Sequence, residues 1–434
     1  MPNFGASFSF ETGNPSGVRS WSFAFLSSQT NNYNSKASSY GRNPYTSKFA
    51  ELAYAAGGID EGLLADYSSF NNTDIYWDIL SAYQGGAFSS FGFGPEYAAV
   101  TQALATDAEY MYVPGALSQA SDRYKFGSKN DIIINFGLNI NEKLFLGVNF
   151  GFPAATYEYG ESFIEAPLEP DLFSIRFEDG PKTYFTNLSR ASYNYQYVSK
   201  ISGAYAKIGA IFHATPSLRI GAAFQTPSAL IVSENWQYRV GTAFSDSDFN
   251  TEQASPTGEY SYSLRSPYVA SFGLAYTFAG RGFISADYEF TDYSVMKFGE
   301  YESDRFYDDP FSDLNETNRL FAGVSHSVRI GAEYKVTPEF ALRAGFNVLT
   351  TPQRRWINSD GVEIDADDFM SDYDLYHNRI KNLVSARDYD DAAMTFSLGA
   401  GYSSPGAFFA DFAVRRTGWP QSTVRPYYDN TAYD

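Results

Sequence analysis

The chain of 434 residues contains no cysteine and only three histidines, and no run approaches the length of a membrane-spanning helix. The absence of cysteine excludes a disulfide scaffold, a thiolate metal site and a thiol nucleophile. Without about 18 consecutive apolar residues, the sequence predicts no transmembrane helix. Basic residues are also scarce: 31 lysines and arginines stand against 50 aspartates and glutamates, and the net charge of −19 argues against nucleic-acid binding.

Aromatic residues and glycine, by contrast, are abundant. Tyrosine (35), phenylalanine (38) and tryptophan bring the aromatic content to 18%, and there are 35 glycines. This composition is high for a soluble enzyme and usual for a transmembrane β-barrel, in which aromatic girdles mark the two membrane interfaces.

Strands are indicated by an alternation of apolar and polar residues with a period of two. The clearest case is "SVRIGAEYKVTPEFALRAGFNV" (327–348), in which a tight turn at 337–339 joins two alternating runs. About twelve strands are predicted in this way. They cover roughly 3–10, 18–29, 129–140, 143–157, 193–213, 218–240, 259–278, 282–298, 325–337, 340–351, 392–403 and 407–418.

Each predicted strand has one apolar and one polar face. Leu144, Leu146 and Val148 share a face, for example, and Asn149 lies on the opposite one. The apolar face could be the core of a soluble sandwich or the lipid-facing side of an outer-membrane barrel. The alternation alone therefore leaves both readings open.

The connections between the strands favour the barrel, because short and long ones alternate strictly. The short connections are 11–17, 141–142, 214–217, 279–282, 337–339 and 403–407, and the long ones cover roughly 30–128, 158–192, 241–258, 299–324 and 352–391. Short turns at one end and long loops at the other are typical of an outer-membrane β-barrel. The sequence thus predicts an all-β fold, a single transmembrane antiparallel barrel domain over 1–434.

The same alternation places both ends of the sequence at the long-loop side. We therefore expect one further strand before residue 1 and one after residue 434, since unpaired strand edges are costly in lipid. Twelve strands visible here and these two would make about fourteen.

The connection 30–128 is too long for a plain loop and is predicted to carry short helices at the outer mouth. Helical spacing occurs in "NPYTSKFAELAYAAGG" and "IDEGLLADYSSF", where Leu52 and Ala56, and Leu63 and Tyr67, are four residues apart. A third candidate helix is "PEYAAVTQALATDAEYMY" (95–112).

These features together resemble the FadL-type family of outer-membrane transporters for long-chain fatty acids and other hydrophobic compounds, which includes relatives labelled hemin receptors. The resemblance covers nearly the whole chain and rests on "RSWSFAFLSSQTNNYNSK", "KLFLGVNFGFPAATY", "KISGAYAKIGAIFHATPSLRIGAAFQTPS" and, most specifically, the hairpin 264–294. It implies a fourteen-stranded barrel, helical outer loops, an N-terminal hatch and a lateral opening near the third strand. The hatch and closing strands are absent from this sequence, and "GNPSG" (13–17) is predicted to be a hairpin turn.

Candidate site residues fall into three groups. Aromatic residues of the first long loop are weak candidates for contact with an apolar ligand, although such residues more often form the core of the loop itself: Phe49, Tyr54, Phe70, Tyr76 and Trp77. Charged residues of neighbouring strands are expected to line the lumen, either as ion pairs of the wall or as a polar path: Asp287, Glu289, Arg329, Glu333, Lys335 and Arg343.

The third group comprises two acidic outer loops, within 300–316 and 360–374. Clustered carboxylates suit Ca²⁺ or Mg²⁺, and Asp365, Asp367 and Asp368 are the weak metal candidates; a solvated acidic loop explains the same residues. Apart from that cation no cofactor is expected. His213, His326 and His377 are too widely separated in the predicted topology to form one metal site, and no Ser-His-acid arrangement indicates an enzyme.

The resemblance implies passive, hatch-gated transport of hydrophobic small molecules such as long-chain fatty acids across the bacterial outer membrane. The alternative is a structural barrel subunit of a larger protein-secretion or barrel-assembly complex. The expected partners are outer-membrane lipid, lipopolysaccharide and a hydrophobic ligand, with other outer-membrane proteins or lipoproteins as further candidates.

Overall fold

The computed structural model describes residues 3–71, 74–90, 96–104, 111–278, 280–301, 310–357, 363–364, 384–386, 392–406 and 408–419. Strands dominate this part of the chain. They are β1 Asn3–Glu11, β2 Val18–Asn32, β3 Ser35–Asn43, β4 Phe88–Ser90, β5 Tyr97–Ala99, β6 Ala103–Leu104, β7 Met111–Tyr112, β8 Leu117–Ile140, β9 Leu144–Pro167, β10 Ser174–Asp179, β11 Lys182–His213, β12 Leu218–Gln225, β13 Ala229–Phe244, β14 Thr251–Ala254, β15 Gly258–Arg265, β16 Val269–Phe278, β17 Gly282–Asp292, β18 Lys297–Glu300, β19 Val324–Lys335, β20 Phe340–Leu349, β21 Arg355–Ile357, β22 Glu363–Ile364, β23 Val384–Ala386, β24 Ala393–Ser403 and β25 Phe409–Gly418.

Helices in the described residues are short. They are α1 Lys48–Ala55, α2 Glu61–Ala65, α3 Trp77–Gln84 and α4 Ser312–Phe321, with 3₁₀ turns at Tyr67–Asn71, Pro170–Leu172, Ser247–Phe249 and Tyr293–Val295. None of the described helices has the length and apolar character needed to cross a bilayer.

One large antiparallel sheet holds most of the strands, and neighbours in the sheet follow each other along the chain. Its path runs from β1 through β2, β8, β9 and β11 to β12 with β13, then β16 with β15, β17 with β18, β19, β20, β24 and β25. Every predicted strand region contains strand, and the short turns join the ends of successive strands, as predicted. In the described pairings β1 contacts only β2, and β25 contacts only β24.

The apolar face of this sheet points outward, which answers the question that the alternation left open. Phe136, Phe150, Ile208 and Phe396 are 48%, 46%, 55% and 58% exposed, whereas Asn135 on the opposite face is half-buried. A soluble sandwich would bury the apolar face. The fold is therefore of the transmembrane antiparallel β-barrel class, in which lipid covers that face.

Three strands run far beyond the length that a membrane requires. β8 and β9 have 24 residues each and β11 has 32, whereas about 9–11 residues of a tilted strand cross the hydrocarbon layer. Exposed residues of β11 change from Ile208 and Phe212 to Gln196 and Lys200 along the strand. We call residues 117–130, 154–167, 182–202 and 229–244 the outer extension, since their exposed residues are mostly polar, with Phe126, Phe185 and Ile231 as large apolar exceptions. The connection 158–192 is consequently mostly strand rather than loop.

The strands predicted at 218–240, 259–278 and 282–298 are each interrupted, which corrects the prediction. Pro227 separates β12 from β13, and Pro267 separates β16 from β15. Proline lacks the N–H that a central strand needs, so the ladder breaks there. The break shifts the alternation by one residue. Below it the odd-numbered Gln225 of β12 is opposite Lys207 of β11, whereas above it the even-numbered Trp236 of β13 is opposite Tyr197, on the same face of β11 as Lys207.

A compact insert lies between β3 and β8 and packs on the inner face of the outer extension. Its core joins Phe49, Leu64 and Leu80 to Phe163 of β9 and Val240 of β13, all of them buried. We call residues 44–116 the insert. The helices predicted in its first half are confirmed as α1 and α2, but the third predicted helix is wrong, because 97–99 and 103–104 are strands, and α3 was not predicted.

Candidate functional site

The curvature of the sheet creates a cavity of about 580 Å³ at the level of the apolar band. Its wall includes Ser9 of β1 and Asp287 of β17. Seven steps from one strand to the next neighbour in the sheet separate these two strands. In a flat sheet that separation would be roughly 34 Å, because strands lie about 4.8 Å apart. The sheet therefore curls around the cavity. Small side chains enlarge it: Gly137, Gly147 and Gly209 lie side by side on its wall.

The six charged residues predicted to line the lumen share the polar face of β17, β19 and β20. Arg329 pairs with Glu289 (3.4 Å), and Arg343 donates to Glu333 (2.7 Å) and also to Asp411 of β25. Asp287 belongs to the cavity wall. The described contacts are thus mainly ion pairs between neighbouring strands, and a role of these residues in a polar path stays a prediction.

A buried carboxylate joins the insert to the outer extension. Glu165 near the end of β9 is fully buried, and its oxygens accept hydrogen bonds from Ser47 Oγ (2.5 Å), the Lys48 amide (2.8 Å) and Gln119 Nε2 (2.8 Å). Ser47 is the N-cap of α1, and its Oγ also contacts Thr101 Oγ1 at 2.6 Å. One side chain therefore fixes the start of α1, the strand β8 and the far end of β9.

Docking of the insert should depend on pH through this group. Burial raises the pKa of Glu165 from 4.5 to about 7, against the lowering effect of its three hydrogen bonds. Because the pKa is higher in the folded state, its stabilising contribution is complete below pH 4.5 and is lost as the pH rises through 7. We expect stronger protection of the α1 amides from hydrogen exchange at about pH 5.5 than at about pH 8.5, after correction for intrinsic rates. Glu165→Gln should abolish the difference, and an unchanged pH dependence in that variant would assign it to another group.

Tyrosines form a layer on the inner face directly below the insert. The rings of Tyr195 and Tyr238 stack at 4.7 Å, and Tyr193 and Tyr159 lie 6.2 and 6.0 Å from this pair. Lys48 of α1 lies over Tyr193, with Nζ 4.2 Å from the ring centroid. Burial raises the pKa of the nearby Asp78 carboxyl above its ordinary value. The inner face below the insert thus carries stacked tyrosine rings together with the charged groups of Lys48 and Asp78.

The five aromatic candidates of the first loop have different places in the insert. Phe49 and Phe70 lie in its buried core, whereas Tyr54 and Tyr76 are 60% and 77% exposed. Trp77 packs edge-on against Phe70 at 5.6 Å and lies 5.8 Å from Trp236 of β13. Trp77 is thus in ring contact with the strand β13; ligand contact by the five aromatic residues stays a prediction.

The metal candidates Asp365, Asp367 and Asp368 lie outside the described residues, as does His377. The two described histidines are far apart in the fold: His213 ends β11 beside Phe145, and His326 lies in β19, where its Nδ1 is 2.7 Å from the Tyr288 hydroxyl.

Glu165 and the tyrosine layer were missed in the sequence. Glu165 is 118 residues from Ser47, so no local pattern connects them. The repeated tyrosines of "ASYNYQYVSK" (191–200) alternate with polar residues and could have indicated an aromatic inner face.

No protein-family model matches the chain, and no curated protein matches it. Among solved structures, a Pseudomonas aeruginosa FadL homologue is 15% identical, with 70% of this chain and 66% of that chain covered and a TM-score of 0.39. The CymD monoaromatic hydrocarbon channel is 13% identical, with 69% and 74% covered and a TM-score of 0.36. The chain is similar to FadL-type structures. The Pseudomonas putida toluene transporter TodX is a third such structure, at 10% identity, 96% and 85% coverage and a TM-score of 0.31.

Proposed function

We propose that the chain is a passive transporter of small hydrophobic molecules in the bacterial outer membrane. The observation that carries the proposal is the cavity inside a sheet whose outward face is apolar. A volume of about 580 Å³ lies within the range of roughly 300–1,000 Å³ that ligand pockets occupy. A purely structural barrel subunit would be expected to have a filled interior instead, so the cavity favours transport over the alternative role.

The ligand class and the gate are further parts of the proposal. Long-chain fatty acids and similar compounds, and gating by a hatch, come from the sequence resemblance to the FadL-type family. The insert supports a gated path, because it packs on the inner face of the outer extension, above the cavity. Outer-membrane lipid and lipopolysaccharide would surround the apolar outward face.

Filling the cavity should block transport. A Cβ added at Gly147 or Gly221 would meet no atom closer than 3.8 Å, so both glycines have space for a side chain on the cavity wall. We expect the double variant Gly147→Trp, Gly221→Trp to lower the uptake rate roughly tenfold, because two indole rings would occupy the space that a ligand crosses. Uptake of radiolabelled oleate and of toluene would be measured in cells that lack their own channel.

The matched control is Val148→Trp with Ile220→Trp, which places two indoles on the outward face one residue away. Val148 and Ile220 are 36% and 42% exposed there, so the control should assemble normally and keep its uptake rate. Unchanged uptake in the double glycine variant, with normal assembly, would contradict transport through this cavity.

A further inference from the structure

A single carboxylate, Glu234 of β13, occupies the inner face between the tyrosine layer and the cavity. Its Oε1 accepts hydrogen bonds from the hydroxyls of Tyr197 of β11 (2.5 Å) and Tyr262 of β15 (2.8 Å). Both donors therefore bind the same oxygen from opposite sides. Its Oε2 accepts no hydrogen bond from the described residues. The side chain is only half-buried.

Aromatic residues flank this carboxylate on the inner face. Trp236 lies on the same face of β13 two residues further on, opposite Tyr197 of β11, and its ring covers Gly258, where a Cβ would come within 2.3 Å of the indole. On the far side, the ring of Tyr262 lies 5.8 Å from those of Phe298 and Phe311. Tyr195 and Tyr197 are stacked 6.4 Å apart. Glu234 is therefore a carboxylate within a patch of aromatic residues on the inner face.

No positive charge of the described residues neutralises Glu234. Arg123, the arginine that approaches the tyrosine layer, pairs with Glu161 at 3.1 Å, and Lys48 lies over the ring of Tyr193. Ser199 of β11 is directly opposite Glu234. The next residue, Lys200, lies on the outward face and is exposed. The net charge of the whole chain is −19, which attracts cations rather than anions to the protein.

A carboxylate flanked by aromatic residues is suited to bind an organic ammonium ion. The ring quadrupoles attract the cation from the sides, and the carboxylate attracts it at short range. We propose that Glu234 with Tyr197, Tyr262 and Trp236 forms a binding site for the ammonium group of a hydrophobic ligand. The proposal rests on the proposed transport function and narrows its ligand class from hydrophobic molecules in general to those that carry a cationic group.

The position of the site suits an entry step. The insert lies above it, since Trp77 of α3 contacts Trp236. The cavity lies below it, about 36 Å along the chain from Glu234 to Ala223 of the cavity wall, at about 3.3 Å per residue. A ligand that enters past the insert would therefore meet Glu234 before it reaches the cavity.

Three water-soluble probes of similar size test the proposal: phenyltrimethylammonium, benzoate and benzyl alcohol. Their binding to the full chain in lipid nanodiscs would be measured by calorimetry, a readout that needs no transport. We expect phenyltrimethylammonium to bind more tightly than either other probe. Glu234→Gln should weaken its binding roughly tenfold and leave benzyl alcohol unchanged, because only the cation loses a charge partner.

The matched control is Glu259→Gln, which removes the same charge from an exposed residue of the neighbouring strand on the outward face. It should leave the binding of all three probes unchanged. Tighter binding of benzoate, equal losses for all probes in Glu234→Gln, or no measurable binding of phenyltrimethylammonium would each overturn the proposal. Ammonium binding without uptake of any substrate would contradict transport and leave this site intact.

Discussion

Replacement of Phe346 by arginine is expected to lower the free energy of unfolding by about 2–4 kcal/mol, the cost of an arginine on the lipid face near the bilayer midplane. Phe346 lies in the middle part of β20 on the apolar face, and its ring packs 4.9 Å from that of Phe396 in β24. Both rings belong to the face that is exposed around the sheet. The measurement is reversible urea unfolding of the protein in lipid vesicles.

The neighbouring position gives the control. Asn347 points to the opposite, polar face, where its Oδ1 accepts a hydrogen bond from Ser327 Oγ at 3.1 Å. Asn347→Arg introduces the same side chain on that face and should cost much less, since polar side chains surround it there. Equal destabilisation by the two variants would show that the apolar face does not meet lipid.

Removal of the Glu165 carboxylate is expected to detach the insert. Glu165→Ala removes the acceptor shared by the buried Ser47 hydroxyl, the Lys48 amide and the Gln119 side-chain amide, and a buried donor that loses its acceptor costs about 1–3 kcal/mol. These donors belong to α1 and β8, so the loss should appear as local opening of the insert. Amide protection in 48–56 should fall, and limited proteolysis should cut the insert faster.

Glu158→Ala is the matched control for this variant. Glu158 lies on the same strand but is exposed on the outward face, so its removal should change neither the protection nor the cleavage rate. Retained protection of α1 in Glu165→Ala would show that the apolar core alone holds the insert in place.

The strand pattern could be predicted from the sequence because its period is a local property. Val148 and Asn149, for example, are assigned to opposite faces by their neighbours alone, and the structure agrees. The breaks at Pro227 and Pro267 were missed because alternation continues on both sides of each proline. Only the number of residues between the two alternating runs shows that the apolar residues change face.

The insert was harder to predict, since its elements depend on contacts distant in sequence. α1 has a serine N-cap and apolar residues four apart, which are local signals. Residues 97–99 have equally good helical spacing, yet they pair with β4, because Phe88, Ala99 and the α1 face share one core. Likewise, no local signal in the sequence indicates the contact between Glu165 and Ser47, because it forms only when the insert packs on β9.

The insert packs on strands that come later in the chain, and this affects the order in which the chain can fold. The core of the insert is completed by Leu188, Val240 and Phe244, which follow the insert by 70 residues or more. Contacts over such distances form late, because the closure of long loops must precede them. We therefore expect the insert, which is synthesised before these strands, to become ordered only after they have paired.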